Sequence, residues 1–408
     1  MKKILILTCM VLFPFFSFCG TPANPGPRTK ALSDGQQKSL NAASNDFAFR
    51  LLQQVDRNAE GDWFVSPVSL EYLLGMVLDG ARGKTADDIA RTLGLDPASA
   101  DSLDLWSREM LDRLPKLDPA TKLTLGNAIF INQIYPVQKA YKDRVVKMYD
   151  AEVENLDFGN EKATLRRING WCDKQTNGLI PQVLNDVNPD MFAYLLNALY
   201  FKGTWMHKFN SRYTEDRPFR LESGQEKMVP MMMQERKFDY SENELCQRLR
   251  LPYGDGSFAM VVMLPKKGHK VAEVVASLDA EGWETIRHRM YGNTRINVWL
   301  PRFESKYHIK LNDILSDMGM ARAFRSGADF KAMSLNADYL DFVQQDAVIK
   351  VDEEGSEAAA VSVGGMMGAT AVPEPPRVID FHADHPFLYL IVESRTGTVL
   401  FAGEYTGK

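Results

Sequence analysis

A chain of 408 residues, 45% of them hydrophobic and 25% charged, has ordinary globular composition and enough apolar material for a large core. Its formal net charge is -5, and no basic stripe interleaved with aromatics occurs, so nucleic-acid binding has nothing to support it. Six histidines are present without a GxSxG elbow or an HExxH pair, which leaves the common hydrolase classes equally unsupported.

The first residues read MKKILILTCMVLFPFFSFCG. Lys2 and Lys3 precede an apolar run over 4–18 that is too short to span a bilayer and fits a secretory signal occupying 1–19. Cys19 closes that run before Gly20 in the manner of a bacterial lipoprotein site, although Phe18 stands where a small residue is usual. The other reading is ordinary signal cleavage near Ala23. Export is expected on both: to the periplasm, outer membrane or cell surface with a lipid at Cys19, or to the extracellular medium without one. Residues 20–39, with Pro22, Pro25, Gly26 and Pro27, read as a flexible tether. Cys9 leaves with the signal, and Cys172 and Cys246 are too few for a disulfide framework, so free thiols are expected there.

From Leu40 the pattern becomes helical, with Phe47, Leu51 and Val55 recurring every four residues. Ser66-Pro67 starts a second helix, which runs through Leu70, Leu73, Leu74, Val77 and Leu78 to a turn at Gly80 and Gly83. Residues 122–132 and 191–201 are apolar-rich, as buried central strands should be, and between them 162–184 reads as a helix broken at Gly178 and Pro181. Residues 245–264 give two strands around a turn over 252–256, and 295–303 alternates again. Helices and strands come in blocks without regular βαβ repetition, and no composition break follows residue 40. The expectation is one large α+β domain over 40–408.

The most unusual stretch is KVDEEGSEAAAVSVGGMMGATAVPEPPRVID over 350–380, joining strand-like runs at 340–351 and 387–392. Connections of this length are uncommon, and they are usually functional or disordered. Only small or β-branched side chains occupy 356–362 apart from Glu357; Gly364, Gly365 and Gly368 then loosen the chain, and Pro373, Pro375 and Pro376 stiffen it. As a strand, 356–366 would turn Ser356, Ala358, Ala360, Ser362, Gly364 and Met366 to one face. All but Met366 are small enough to slide between existing strands. Composition alone reads equally well as a flexible linker.

Glu354-Gly355-Ser356-Glu357-Ala358-Ala359-Ala360 resembles the hinge of the serpin reactive loop. Ser66-Pro67-Val68-Ser69 resembles the family's strand-to-helix signature, continued by Gly80-Ala81-Arg82-Gly83-Lys84-Thr85. Asn197-Ala198-Leu199-Tyr200-Phe201-Lys202-Gly203-Thr204-Trp205 is similar to its most characteristic internal stretch. Val229-Pro230-Met231-Met232, Leu300-Pro301-Arg302-Phe303 and His385-Pro386-Phe387 follow in the family's order.

The resemblance implies three β-sheets surrounded by eight or nine helices, with no cofactor and no metal. It implies a monomer of the bacterial, inhibitory type, which is not an enzyme but a single-use covalent trap for serine proteases, with its bait loop over 354–380. It assigns gatekeeping hydrogen bonds to Ser66, Ser69, Asn197 and Gln345 where the central strands part, and places Trp205 where insertion begins. The family usually has histidine at the position of Gln345; glutamine also donates and accepts, but it does not titrate near neutral pH. Family spacing from Gly355 puts the reactive bond at Ala369-Thr370, and a lengthened loop before His385 leaves Met366, Met367, Ala371 and Val372 as alternatives. None of these is basic, which favours proteases with small or apolar primary pockets, elastase-like or subtilisin-like. The rival is a non-inhibitory relative acting as a binding or chaperone protein. Such members often carry bulky, charged or proline residues in the hinge, and Ser356 with Ala358, Ala359 and Ala360 does not fit that pattern. His382 and His385 lie on an extended segment and make a poor metal pair.

Overall fold

Ser33 fixes where the first helix begins. Its hydroxyl accepts the Gln36 N–H and the Gln36 side chain accepts the Ser33 N–H, a reciprocal cap that starts α1 (Asp34–Asn58). The helix therefore takes in the end of the expected tether and starts before Leu40. Residues 34–39 are polar and mostly exposed, so apolar spacing gives no sign of this first turn. Further along, Phe47, Leu51 and Val55 are fully buried as expected, each contributing about 1.5–3 kcal/mol of burial.

The computed structural model describes residues 31–408 other than 97, 98, 291, 293, 342 and 357–377. Residues 32–408 form one compact unit. Cys19 and the signal lie outside the described residues, as do Glu357, Ala358, Ala359, Ala360, Met366, Met367, Ala369, Thr370, Ala371 and Val372.

Strand β1 (Trp63–Val65) leads into α2 (Pro67–Gly80), with Ser66 as cap and Pro67 in the first turn. Every residue of α2 except Asp79 is buried, so this helix runs through the interior. Above it lies a sheet of six strands. Its long members are β2 (Thr121–Asn132) and β4 (Ala193–Thr204), antiparallel from Thr121↔Gly203 to Ile131↔Ala193. β3 (Glu152–Leu156) pairs parallel to β2 on the outside. At the other side β10 (Phe303–Lys310) and β11 (Gln344–Val351) form an antiparallel pair, and the two-residue β12 (Gly355–Ser356) lies between β11 and β4.

The other strands make a nine-stranded sheet whose members include β6 (Glu226–Glu242), β7 (Cys246–Tyr253), β8 (Phe258–Pro265) and β9 (Thr294–Pro301), with β5 (Glu215–Arg220) paired to β6. β6 is long enough to serve three neighbours: 226–231 pair with β5, 231–238 with β9 and 239–242 with β7. It divides that sheet into two parts, which gives the three sheets expected. Four-residue β13 (Ile379–His382) is its edge, parallel to β9, while β14 (Phe387–Glu393) and β15 (Val399–Tyr405) close the other side with β1.

Helix α6 (Glu161–Gln175) covers the outer face of the six-stranded sheet, and Ile168 and Trp171 pack with Phe130, Tyr194 and Leu196. It ends at Gln175, because Asn177 and Gly178 adopt φ of 54° and 84°, so the expected helix to 184 stops before its glycine. β4 is thus buried on both sides: Tyr194, Leu196 and Ala198 face α6, while Asn197 and Phe201 face α2 and the main core. Cys172 of α6 and Cys246 of β7 are both buried and free. Among the described residues no helix is long and apolar enough to cross a membrane.

Candidate functional site

Two clusters of the expected residues lie along the seam between β11 and β4. The first is at the end where β11 runs out. After Val351 the chain turns through Asp352, Glu353 and Glu354, and Ser356 returns to pair with Val351 on one side and Gly203 on the other. Asp352 makes the turn: its Oδ1 accepts the N–H groups of Glu354 (2.9 Å) and Gly355 (3.3 Å), and its own N–H donates to the Gly355 carbonyl (2.9 Å). Gly355 sits at φ 153°, and a Cβ there would stand 2.0 Å from the Gly203 carbonyl oxygen, so glycine is required for the chain to enter the seam.

Ser356 is fully buried, and its Oγ lies 2.6 Å from the Tyr253 hydroxyl. The Tyr253 ring stacks on Trp205 with centroids 4.4 Å apart and planes within 9°. Trp205 holds the turn from below: its indole N–H donates to the Asp352 carbonyl and its main-chain N–H to the Glu354 carbonyl, both at 2.8 Å. Glu353 meets Arg302 through two hydrogen bonds (2.6 and 3.2 Å) and accepts the Thr214 hydroxyl (2.6 Å), while Glu354 pairs with Lys208 (2.5 Å). Burial works to raise the Glu353 carboxyl, but the Arg302 and Thr214 hydrogen bonds outweigh it and hold the group below the ordinary glutamate range. Burial raises Asp352.

The second cluster lies seven residues back along β4, about 23 Å by strand rise. Ser66 and Ser69, at the start of α2, reach both sides of the seam. On the β11 side, Gln345 accepts the Ser66 N–H and donates to the Ser66 carbonyl. On the β4 side, the Ser69 hydroxyl donates to Asn197 Oδ1, and Asn197 Nδ2 donates to Asn127 Oδ1 of β2 at 2.6 Å. The Ser66 hydroxyl donates to the Leu400 carbonyl at 2.7 Å, tying the group to β15. One run of hydrogen bonds therefore crosses the opening between the two halves of the sheet.

Ser66, Ser69, Asn197 and Gln345 are brought together, and Trp205, Glu354, Gly355 and Ser356 form the separate group above them. Sequence reasoning missed Asn127, Thr214, Tyr253, Arg302 and Glu353. Asn127 carried a signal, a polar residue inside an apolar strand opposite Asn197 in register; Glu353 stood beside Glu354 in the unusual stretch, and Thr214, Tyr253 and Arg302 come from strands and turns distant in the chain. His382 stacks on Trp299 (3.9 Å) and His385 bonds to Asp384 and the Pro265 carbonyl (2.8 Å each). Among the described residues no group of three or more His, Cys, Asp or Glu side chains is arranged to hold a metal.

Helices packed on both faces of a mixed six-stranded sheet, in which the two-residue β12 lies between β11 and β4, define an α+β protein. The family model described as serpin (serine protease inhibitor) matches residues 42–407, and the chain belongs to the serpin family. An uncharacterised serpin-like protein of Thermococcus kodakarensis is 36% identical over 92% of this chain and 88% of its own length. The leukocyte elastase inhibitor of Xenopus laevis is 35% identical over 90% of this chain and 99% of its own. The fold matches the native state of the thermophilic serpin tengpin with a TM-score of 0.82 at 24% identity, covering 93% of this chain and 96% of that one.

Proposed function

We propose that the protein is a monomeric inhibitor that traps serine proteases by having its loop cut and then taking the cut loop into the six-stranded sheet. The observation that carries this reading is β12, where Ser356 is already hydrogen-bonded between β11 and β4 and buried against Tyr253. A protease serine attacks a peptide bond of the bait loop and forms an acyl-enzyme ester, the C-terminal part leaving as a free amine. Continued pairing of the small residues beyond Ser356 then draws the ester along the sheet. About fourteen residues at 3.3 Å each carry the attached protease about 45 Å. Catalysis of deacylation needs oxyanion donors within hydrogen-bond distance of the ester, and a pull of this size removes that geometry before water completes hydrolysis.

The bond at Ala369-Thr370, or a neighbour among Met366, Met367, Ala371 and Val372, suits a protease with a small or apolar primary pocket. Similarity to an elastase inhibitor supports the same class. Export directed by the first nineteen residues, with Cys19 carrying a lipid, would present the inhibitor to proteases outside the cytoplasm.

Incubation with pancreatic elastase and with subtilisin tests the reading. The expected product is an SDS-resistant complex, with the released fragment beginning within 367–373. Clean cleavage with no complex by either protease, or a Ser356→Arg variant that traps as well as the wild type, would overturn it.

A further inference from the structure

Three carboxylates converge on one guanidinium beneath the six-stranded sheet. Arg144, on α5 (Lys139–Tyr149), places Nε 2.7 Å from Asp79 of α2 and Nη2 2.5 Å from both Asp101 and Asp104 of α4 (Ala100–Arg113). Asp101 is exposed, but the side chains of Asp79 and Asp104 are only 6% and 3% exposed. Asp79 Oδ2 is buried without a hydrogen-bond partner. One guanidinium balances one buried carboxylate, so the site as built favours a proton on the other. Burial raises both groups toward neutrality; the charge of Asp104 raises Asp79 further and Asp101 adds to both, against the pull of Arg144. Tyr149 lowers Asp104 by hydrogen bonding. Arg82, Asp87, Asp143, Lys147 and Lys331 line the clefts beside the cluster, and the Tyr141 hydroxyl, turned to the Met76 carbonyl, closes its inner side.

The last residue of α5 joins this cluster to the seam. The Tyr149 hydroxyl donates to Asp104 Oδ1, and the Tyr149 carbonyl accepts Asn127 Nδ2, each at 2.7 Å. Asn127 in turn holds Asn197, and Asn197 holds Ser69. We propose that Asp79, Asp104 and Arg144 form a proton-dependent brace that controls how readily β4 parts from β11, an inference that rests on the loop-insertion reading above. While the pair keeps its proton, α2, α4 and α5 are drawn together and Tyr149 anchors Asn127. Loss of the proton sets two buried carboxylates against each other, the helices ease apart, and the hold on Asn127 slackens. Gln345 cannot supply a pH response at the seam; this cluster does.

The test uses the full-length protein without protease and a synthetic peptide matching residues 356–366, which competes for the seam. Uptake is followed by mass from about pH 5.5 to about pH 8.5, spanning the expected titration. The uptake rate should rise about tenfold between about pH 6 and about pH 8, the factor that one unit of pKa linkage supplies. Asp79→Asn should abolish the rise. Tyr149→Phe should abolish it too, while its thermal midpoint still responds to pH. A pH response unchanged in Asp79→Asn, or a pH-independent wild type, overturns the brace. Should Asp79→Asn fail to fold, Asp104→Asn carries the same expectation and the same overturning result. No uptake at any pH instead defeats the loop-insertion reading, which separates the two failures.

Discussion

Gln345 holds Ser66 by both ends of its amide: its Oε1 accepts the Ser66 N–H at 2.8 Å and its Nε2 donates to the Ser66 carbonyl at 2.9 Å. The side chain thereby does what a neighbouring strand would do for that residue, supplying one donor and one acceptor to its main chain. The two residues are both buried, so neither bond has water as a substitute.

Gln345→Ala should therefore cost about 1–3 kcal/mol, because it strands the buried Ser66 N–H and leaves the Ser66 carbonyl with only the Leu70 N–H, 3.2 Å away. Its apparent thermal midpoint should fall, and peptide uptake into the seam should quicken. Gln345→Glu should be equally harmful above the carboxylate pKa, since an ionised carboxylate faces the Ser66 carbonyl with no donor to offer it. A midpoint unchanged in both variants would show that the bidentate contact is dispensable.

Arg302→Ala should loosen the turn that feeds β12. Glu353 is left buried with only Thr214 to bond its carboxylate. Arg302 is itself half exposed, so the loss should be about 1–2 kcal/mol, well short of that for a fully buried pair. Amide hydrogen exchange over 352–356 should accelerate. Glu353→Gln, which keeps an acceptor and removes the charge, should do less damage than the arginine variant.

Gly355→Ala should expel β12 from the seam. The added Cβ meets backbone, the Gly203 carbonyl oxygen and the Thr204 Cα, and neither can swing aside. The Ser356 amide should lose exchange protection, and the fraction of elastase ending in stable complex should drop in favour of simple cleavage.

Stability should decline as pH rises from about 4.5 to about 8. Burial pushes the Glu71 carboxyl up to about 8, against the Ser44 hydroxyl that donates to it at 2.6 Å. Burial pushes Glu404 up to about 8 as well, helped by the charges of Asp56 and Glu222. A raised native pKa means the folded state keeps a proton that the unfolded chain has released. The stabilisation is complete below the unfolded value and is lost as pH climbs through the folded one, at about 1.4 kcal/mol per pH unit for each group. Glu71→Gln should match the wild type near pH 4.5 and exceed it increasingly toward pH 8, read from thermal midpoints across that range. Equal slopes would mean that Glu71 is ionised in the native protein.

Much of this was legible in the chain itself. The apolar runs over 122–132 and 191–201 became the paired β2 and β4, and Gly355 and Ser356, at the head of the unusual connection, form β12. Local rules govern these features: side-chain size, period-two alternation and the glycine requirement all act within a few residues. The first turn of α1 escaped because polar caps, not apolar spacing, start it.

What folding alone decided is which polar groups meet. Ser66 and Gln345 are 279 positions apart, Tyr253 and Ser356 are 103 apart, and nothing local to either member names its partner. Those pairings depend on strand register and on where helices cross the sheet, which the packing of the whole core settles. Burial then gives each meeting its consequence, because away from water an unmatched donor, acceptor or charge has no other way to be satisfied.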